Sequence, residues 1–257
     1  MPEIRLDTHD RIATVTLSNP GKLNAVSVAM WEALADVFTR LSADDNLRCV
    51  IVQGEGGNFA AGADIAEFPT LRATAEQGRH YHRITVVNAL RAIAECLHPT
   101  VAAIEGACIG GGLEIACVCD IRIAAPSARF GIPIKQLGFP MAPDELRYLL
   151  PLTGKAAALE ILLEGRIFTA AEAQEKGLLQ RIADDVPAAA RQTAERIDQG
   201  APLAARMHKQ LIRRLTPQAE ALTQEEWDAA FAFLDTQDYR AGVQAFLNKT
   251  RPDFSGK

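Results

Sequence analysis

Two segments of the chain, Val50–Ile65 and Val101–Val118, run through the same succession: a short β-rich stretch, a bend of small residues, and a helix. Val50-Ile51-Val52 passes Gly54-Glu55-Gly56-Gly57 and leads to Phe59-Ala60-Ala61-Gly62-Ala63-Asp64-Ile65. Val101-Ala102-Ala103-Ile104 leads through Gly106-Ala107-Cys108-Ile109-Gly110-Gly111-Gly112 to a short helix from Leu113 to about Val118. A chain that repeats this unit is expected to build a repeating β/α core, because each strand and helix must bury its apolar side against another element.

The rest of the chain fits that frame. Ile12, Thr14 and Thr16 alternate with Ala13, Val15 and Leu17, as in a strand. Trp31, Leu34, Val37, Phe38 and Leu41 recur at helical spacing behind Ser27, a residue suited to cap a helix N-terminus. Thr70–Leu97 is expected to be one long helical stretch and Ile121–Ala124 a further strand. After Pro140 helices are expected over Ala156–Leu163, Ala170–Lys176, Pro187–Asp198, Pro202–Leu215, Gln218–Leu234 and Arg240–Asn248, with one short strand at Leu178–Ala183. Trp31 and Trp227 both read as packing residues.

Composition narrows the function. The 257 residues carry 27 Lys and Arg against 32 Asp and Glu, a formal charge of −5 with no basic block, which argues against a dedicated nucleic-acid binder. The N-terminus has no basic stretch followed by an apolar one, so no secretory signal is expected. The most apolar region, Val101–Cys119, is cut by Glu105, Glu114 and glycines and is too polar to span a membrane. Cys49, Cys96, Cys108, Cys117 and Cys119 are odd in number and form no CxxC pair, which suggests reduced core thiols of a cytoplasmic protein and no metal site. His80 and His82 are two residues apart and point to different faces of a helix, so they do not pair on a metal. His9, His98 and His208 are expected at the surface.

Chemistry is expected at the two small-residue bends. Small residues let backbone N–H groups approach a ligand closely. N–H groups at a helix start have no partner inside the helix and carry partial positive charge. Two such bends facing one another would hold a developing oxyanion between them. The plainer alternative is a pair of tight turns that pack helix close to strand. Neither bend has the spacing of a dinucleotide fingerprint or the Gly-Lys-Ser/Thr of a P-loop, and no Gly-x-Ser-x-Gly elbow occurs. Glu114, among Leu113, Ile115, Ala116 and Val118, has two readings. It favours the helix dipole, or it is a buried carboxyl whose pKa rises toward the range useful for general acid–base work.

Taken in order, these motifs resemble the enoyl-CoA hydratase/isomerase (crotonase) family over most of the chain. Asn19-Pro20 with Leu23-Asn24-Ala25 resembles the family's Pro-x-x-Asn-Ala element, and Phe59–Ile65 its Phe-x-Ala-Gly-Ala-Asp-Ile loop. Gly106–Glu114, Cys119–Ala124 and Ala128-Arg129-Phe130-Gly131 resemble its second loop and the strands after it. Phe246 and Lys249 resemble a C-terminal Ala-Phe-x-x-Lys element.

The resemblance implies an α/β fold: a crotonase-like spiral of ββα repeats over residues 1–195 and a helical C-terminal region, 196–257, that trimerises, often as a dimer of trimers. It implies an acyl-CoA thioester as ligand, with coenzyme A entering as part of the substrate, no separate cofactor, and neither nucleic acid nor membrane as partner. The N–H groups of Ala63 and Gly111 would form the oxyanion hole and Glu114 would be the acid–base residue. Ala61, Asp64 and Ile65 would lie along the coenzyme A, with Leu23 and Phe246 beside it. Lys22, and Lys249 reaching over from a neighbouring subunit, would contact phosphates; both lysines read equally as solvated surface charges.

The match departs from the family's pattern at one place. A second glutamate is usual just after Phe-Gly-x-Pro, but here Phe130-Gly131-Ile132-Pro133 is followed by Ile134, which moves no proton. Some isomerases of the family carry an acid where Ala142 stands. Asp144 and Glu145 come two and three residues later, and capping a helix after Pro143 is the favoured reading over rotation into the site. Hydration of a 2-enoyl-CoA is the leading expectation. Double-bond isomerisation, thioester hydrolysis and non-catalytic acyl-CoA binding remain open.

Overall fold

The computed structural model describes residues 1–217 and 219–257. Strand β1 (Glu3–His9) returns antiparallel as β2 (Ile12–Ser18), in register from Glu3↔Ser18 to His9↔Ile12. β1 is an exposed edge, which accounts for its charged alternation, whereas β2 is almost wholly buried. Helix α1 (Val28–Ser42) starts as expected behind Ser27, whose side chain accepts the Met30 N–H. Strand β3 (Cys49–Gly54) then pairs parallel with β2.

The stretch Thr70–Leu97 is not one helix. It comprises the end of α2 (Phe68–Leu71), α3 (Ala75–His80), a π-helical turn at Tyr81–Val86, and α4 (Val87–Glu95). Thr74 and Gln77 form a reciprocal capping box that restarts the helix at α3, so local side-chain bonds override the continuous apolar spacing.

The chain continues through β4 (Thr100–Ile104), β5 (Ala107–Ile109), α5 (Gly111–Val118), β6 (Ile121–Ala124) and β7 (Arg129–Gly131). Next come α6 (Pro143–Glu164), β8 (Phe168–Thr169), α7 (Ala170–Glu175) and β9 (Arg181–Ile182). The chain closes with α8 (Val186–Asp198), α9 (Pro202–Leu215), α10 (Gln224–Phe231) and α11 (Gln237–Leu247). α6 is broken at Gly154 (φ 70°): the helix expected at Ala156–Leu163 is the part after the break, and Pro151 conceals the part before it. Of the helix expected over Gln218–Leu234, Gln218 lies outside the described residues, and α10 starts behind its cap Thr223.

Six strands form one sheet in the order β1-β2-β3-β4-β6-β9, parallel from β2 onward, and β5-β7-β8 form a smaller one. The period of two along each strand divides the large sheet's apolar residues between two cores. Ala13, Val15, Val50, Val52, Ala102 and Ile104 belong to the main core with residues of α1, α4 and α5. Ile12, Cys49, Ile51, Val101, Ala103 and Ile123 pack with Val186, Ala190 and Ala194 of α8. Every residue of α5 is buried, so that helix shows no amphipathic pattern. All five cysteines are free and buried, and burial pushes the Cys49, Cys117 and Cys119 thiols up to about 12. His98, expected at the surface, is buried against the Leu41 carbonyl at 3.0 Å. Among the described residues no helix is long and apolar enough to cross a membrane.

Candidate active site

The bend after β3 rides on the edge of β5. Ala60 N–H donates to the Ala107 carbonyl at 2.8 Å, and Ala60 in turn accepts from Ile109 N–H at 3.0 Å. On the other side Ala61 N–H donates to Leu23, Val26 N–H donates to the Gly62 carbonyl, and Asp64 N–H donates to Val26. These bonds leave the Ala63 N–H without an acceptor among the described residues. The second bend turns at Gly110, whose φ of 48° favours glycine, and α5 starts at once. As the first residue of α5, Gly111 has an N–H with no acceptor inside the helix.

The two bends converge. A Cβ placed on Gly111 would lie 3.5 Å from the Ala63 nitrogen, and one placed on Gly62 would lie 3.8 Å from the Gly111 nitrogen. A Cβ on Gly112 would stand 2.3 Å from the Ala60 carbonyl oxygen, so glycine there is what permits the approach. Both amides border a cavity of about 450 Å³.

That cavity holds two buried carboxyls. Glu114 projects from the first turn of α5, and Glu145 from the first turn of α6. Burial and the nearby Glu145 carboxyl hold Glu114 well above the usual carboxylate range. Burial pushes Glu145 up to about 8. His82, delivered by the π-helical turn, places Nδ1 2.6 Å from Glu145 Oε1, and burial keeps the imidazole well below its ordinary pKa. Glu145 Oε2 accepts the Ala142 N–H at 3.3 Å. Glu145 therefore does cap α6, as expected, and also reaches the cavity, which capping alone would not require. Asp144 stays outside, 3.4 Å from Arg147 Nη2.

The other expected residues divide unevenly. Lys22, Ala61, Asp64, Ile65, Phe246 and Lys249 line the cavity. Lys22 Nζ is 2.6 Å from Asp64 Oδ2 at the open side. Lys249 lies on the cavity of its own chain, where the resemblance implied one from a neighbouring subunit. Leu23 does not line the cavity: its side chain is exposed and its carbonyl serves to hold Ala61. Ile134 faces the cavity, and no acid replaces it from the same segment. Sequence reasoning missed His82, Arg72 and the aromatic wall of Phe68, Tyr81 and Phe139. The one available signal was that His80 and His82 face different ways; His80 is exposed and His82 is inside.

A parallel-sheet α/β chain that aims two amide donors and two elevated carboxyls into one cavity has the makings of an acid–base enzyme. Comparison with known proteins agrees. The enoyl-CoA hydratase/isomerase family pattern matches residues 7–257. A protein called "Probable enoyl-CoA hydratase echA8" in Mycobacterium tuberculosis is 35% identical, over 98% of this chain and 97% of its own. The 2,3-dehydroadipyl-CoA hydratase of Escherichia coli is 30% identical over the full length of both. The crystal structure of an enoyl-CoA hydratase/carnithine racemase from Magnetospirillum magneticum is 46% identical, covers 99% of this chain and 96% of its own, and superposes with a TM-score of 0.81. The chain belongs to the enoyl-CoA hydratase/isomerase family.

Proposed function

We propose that the protein adds water across the double bond of a 2-enoyl-CoA, with Ala63 and Gly111 N–H as the oxyanion donors and Glu114 and Glu145 as the proton-carrying pair. The observation that carries this reading is the convergence of the two unpaired amides beside two carboxyls held above their ordinary pKa. With the thioester oxygen between the amides, electron density drains from Cβ. One carboxyl, ionised, takes a proton from water as the water oxygen bonds to Cβ. The C=C pair moves onto Cα and the thioester oxygen, where the amides stabilise it. The other carboxyl, neutral, gives its proton to Cα. Two interacting carboxyls in a dry site tend to share one proton, which supplies an acid and a base together. Glu145 thus provides from α6 the second acid that Ile134 does not. Lys22 and Lys249, at the open side, suit the phosphates of the coenzyme A.

Ile134 favours a second reading, double-bond isomerisation, because a proton shift within the acyl group needs no water and one carboxyl suffices for it. A panel of enoyl-CoAs read by mass spectrometry separates the two. Gain of one water, reduced by orders of magnitude in Glu114→Gln, is expected. Unchanged mass with a moved double bond selects isomerisation, release of free coenzyme A selects hydrolysis, and binding without turnover refutes catalysis.

Self-association belongs to the same reading. No residue of α9 is buried, and Leu203, Met207, Leu211 and Leu215 recur every four residues on its exposed surface. Arg206 bonded to Asp45 at 2.8 Å and Lys209 bonded to Asp120 at 2.8 Å hold the helix to the body by polar contacts. Such an apolar stripe fits contact with further copies of the chain. The buried thiols suit a reducing compartment, and a cytoplasmic protein is the reading they support.

A further inference from the structure

The inner end of the cavity contains a cation with no acceptor. Arg72 is 3% exposed, and its guanidinium carbon lies 4.1 Å from the Phe68 ring centroid, 4.5 Å from Phe139 and 5.1 Å from Tyr239. Ring faces attract the charge but give the in-plane N–H groups nothing to bond. Among the described residues Nε, Nη1 and Nη2 are all buried without a hydrogen-bond partner, and the side chain lines the cavity. His82 Nε2, on the same wall, is also buried and unpartnered.

The neighbouring carboxyls do not supply the missing acceptor. Glu145 spends Oε1 on His82 and Oε2 on Ala142 N–H, and neither Glu145 nor Glu114 bonds to the guanidinium. The two lysines that line the cavity, Lys22 and Lys249, are exposed to solvent, unlike Arg72. A desolvated guanidinium left unpaired is costly, and the group that suits its planar fork is a carboxylate held through two parallel N–H donors. A single cation among aromatic rings matches a monoanion better than a phosphate dianion.

We propose that the acyl group of the substrate ends in a carboxylate, and that Arg72 binds it at the inner end of the cavity. This rests on the acyl-CoA reading above. An acyl chain ending in methyl would seal the guanidinium off from water and leave it unpaired, so the same residue that welcomes the charged chain disfavours the plain one.

The test is binding of saturated thioesters, which needs no turnover. Mono-CoA thioesters of linear dicarboxylic acids are compared by calorimetry with fatty acyl-CoAs of the same chain length, over a series of lengths. At one or more lengths the carboxylated ligand is expected to bind at least ~10-fold more tightly, as a charge-assisted bidentate pair would give. In Arg72→Met the preference is expected to collapse, and in Arg72→Lys to survive in part. Equal or tighter binding of the methyl-ended ligand at every length overturns the proposal, as does a preference that persists in Arg72→Met. The wild-type comparison decides the question even if Arg72→Met does not fold. If no acyl-CoA binds at all, the acyl-CoA reading falls and this falls with it. If the carboxylate preference is present but no hydration is seen, only the assigned reaction falls.

Discussion

At the scale of single residues, Gly111 is where packing and chemistry meet. Its missing side chain leaves the space between two amides open. A methyl at that position would sit 3.5 Å from the Ala63 nitrogen and 3.0 Å from Trp31 Cζ2. Trp31 must give by a few tenths of an ångström, and the added methyl intrudes beside the Ala63 amide. Gly111→Ala is therefore expected to fold, checked by thermal denaturation, while turnover falls by about 10²–10³-fold, the usual loss when an oxyanion donor is disabled. Glu145 makes a different kind of prediction. An unfolded chain releases this proton near 4.5, the folded protein near 8. The folded state holds the extra proton between those values, so the stabilisation is complete below the unfolded value and is lost as pH rises through the folded one. Glu145 is expected to contribute a fall in melting temperature from roughly pH 5 to pH 8, which Glu145→Gln removes; His82, held well below its ordinary value, opposes that fall below about pH 6.5.

At the scale of elements, local chemistry explains which parts could be read in advance. The bends at Phe59–Ile65 and Gly106–Glu114 were legible because their requirement for small residues is written consecutively in the chain. Ser27 was legible as the cap of α1 for the same reason. Ser27→Ala should lower the unfolding free energy by about 1 kcal/mol, seen as a lower urea midpoint, since the Met30 N–H loses its acceptor. What could not be read depended on distant segments meeting. Glu145 presents itself as a first-turn acid, and that role is real; its second role needs His82, 63 positions away. His82 in turn reaches the cavity through a π-helical turn, which leaves no mark on apolar spacing. Arg72 reads as an ordinary surface cation until Phe68, Phe139 and Tyr239, from three separate segments, are seen to enclose it.

At the scale of the molecule, the apolar stripe on α9 and the polar ties beneath it make the proposed self-association testable. Sedimentation of the wild type is expected to give a mass several times that of one chain. Leu211→Glu together with Leu215→Glu is expected to shift the population toward the single chain, because the substitutions place charge on the exposed apolar surface without touching the core. A single-chain wild type would refute the assignment. The whole molecule also carries its own alarm. Five thiols are buried, and burial favours their protonated form, so labelling by an alkylating reagent is expected to wait on opening of the chain. Because Cys49 sits beneath α8 while Cys108 and Cys117 sit in the core that carries α5, the order in which they become labelled would tell which face of the sheet comes undone first.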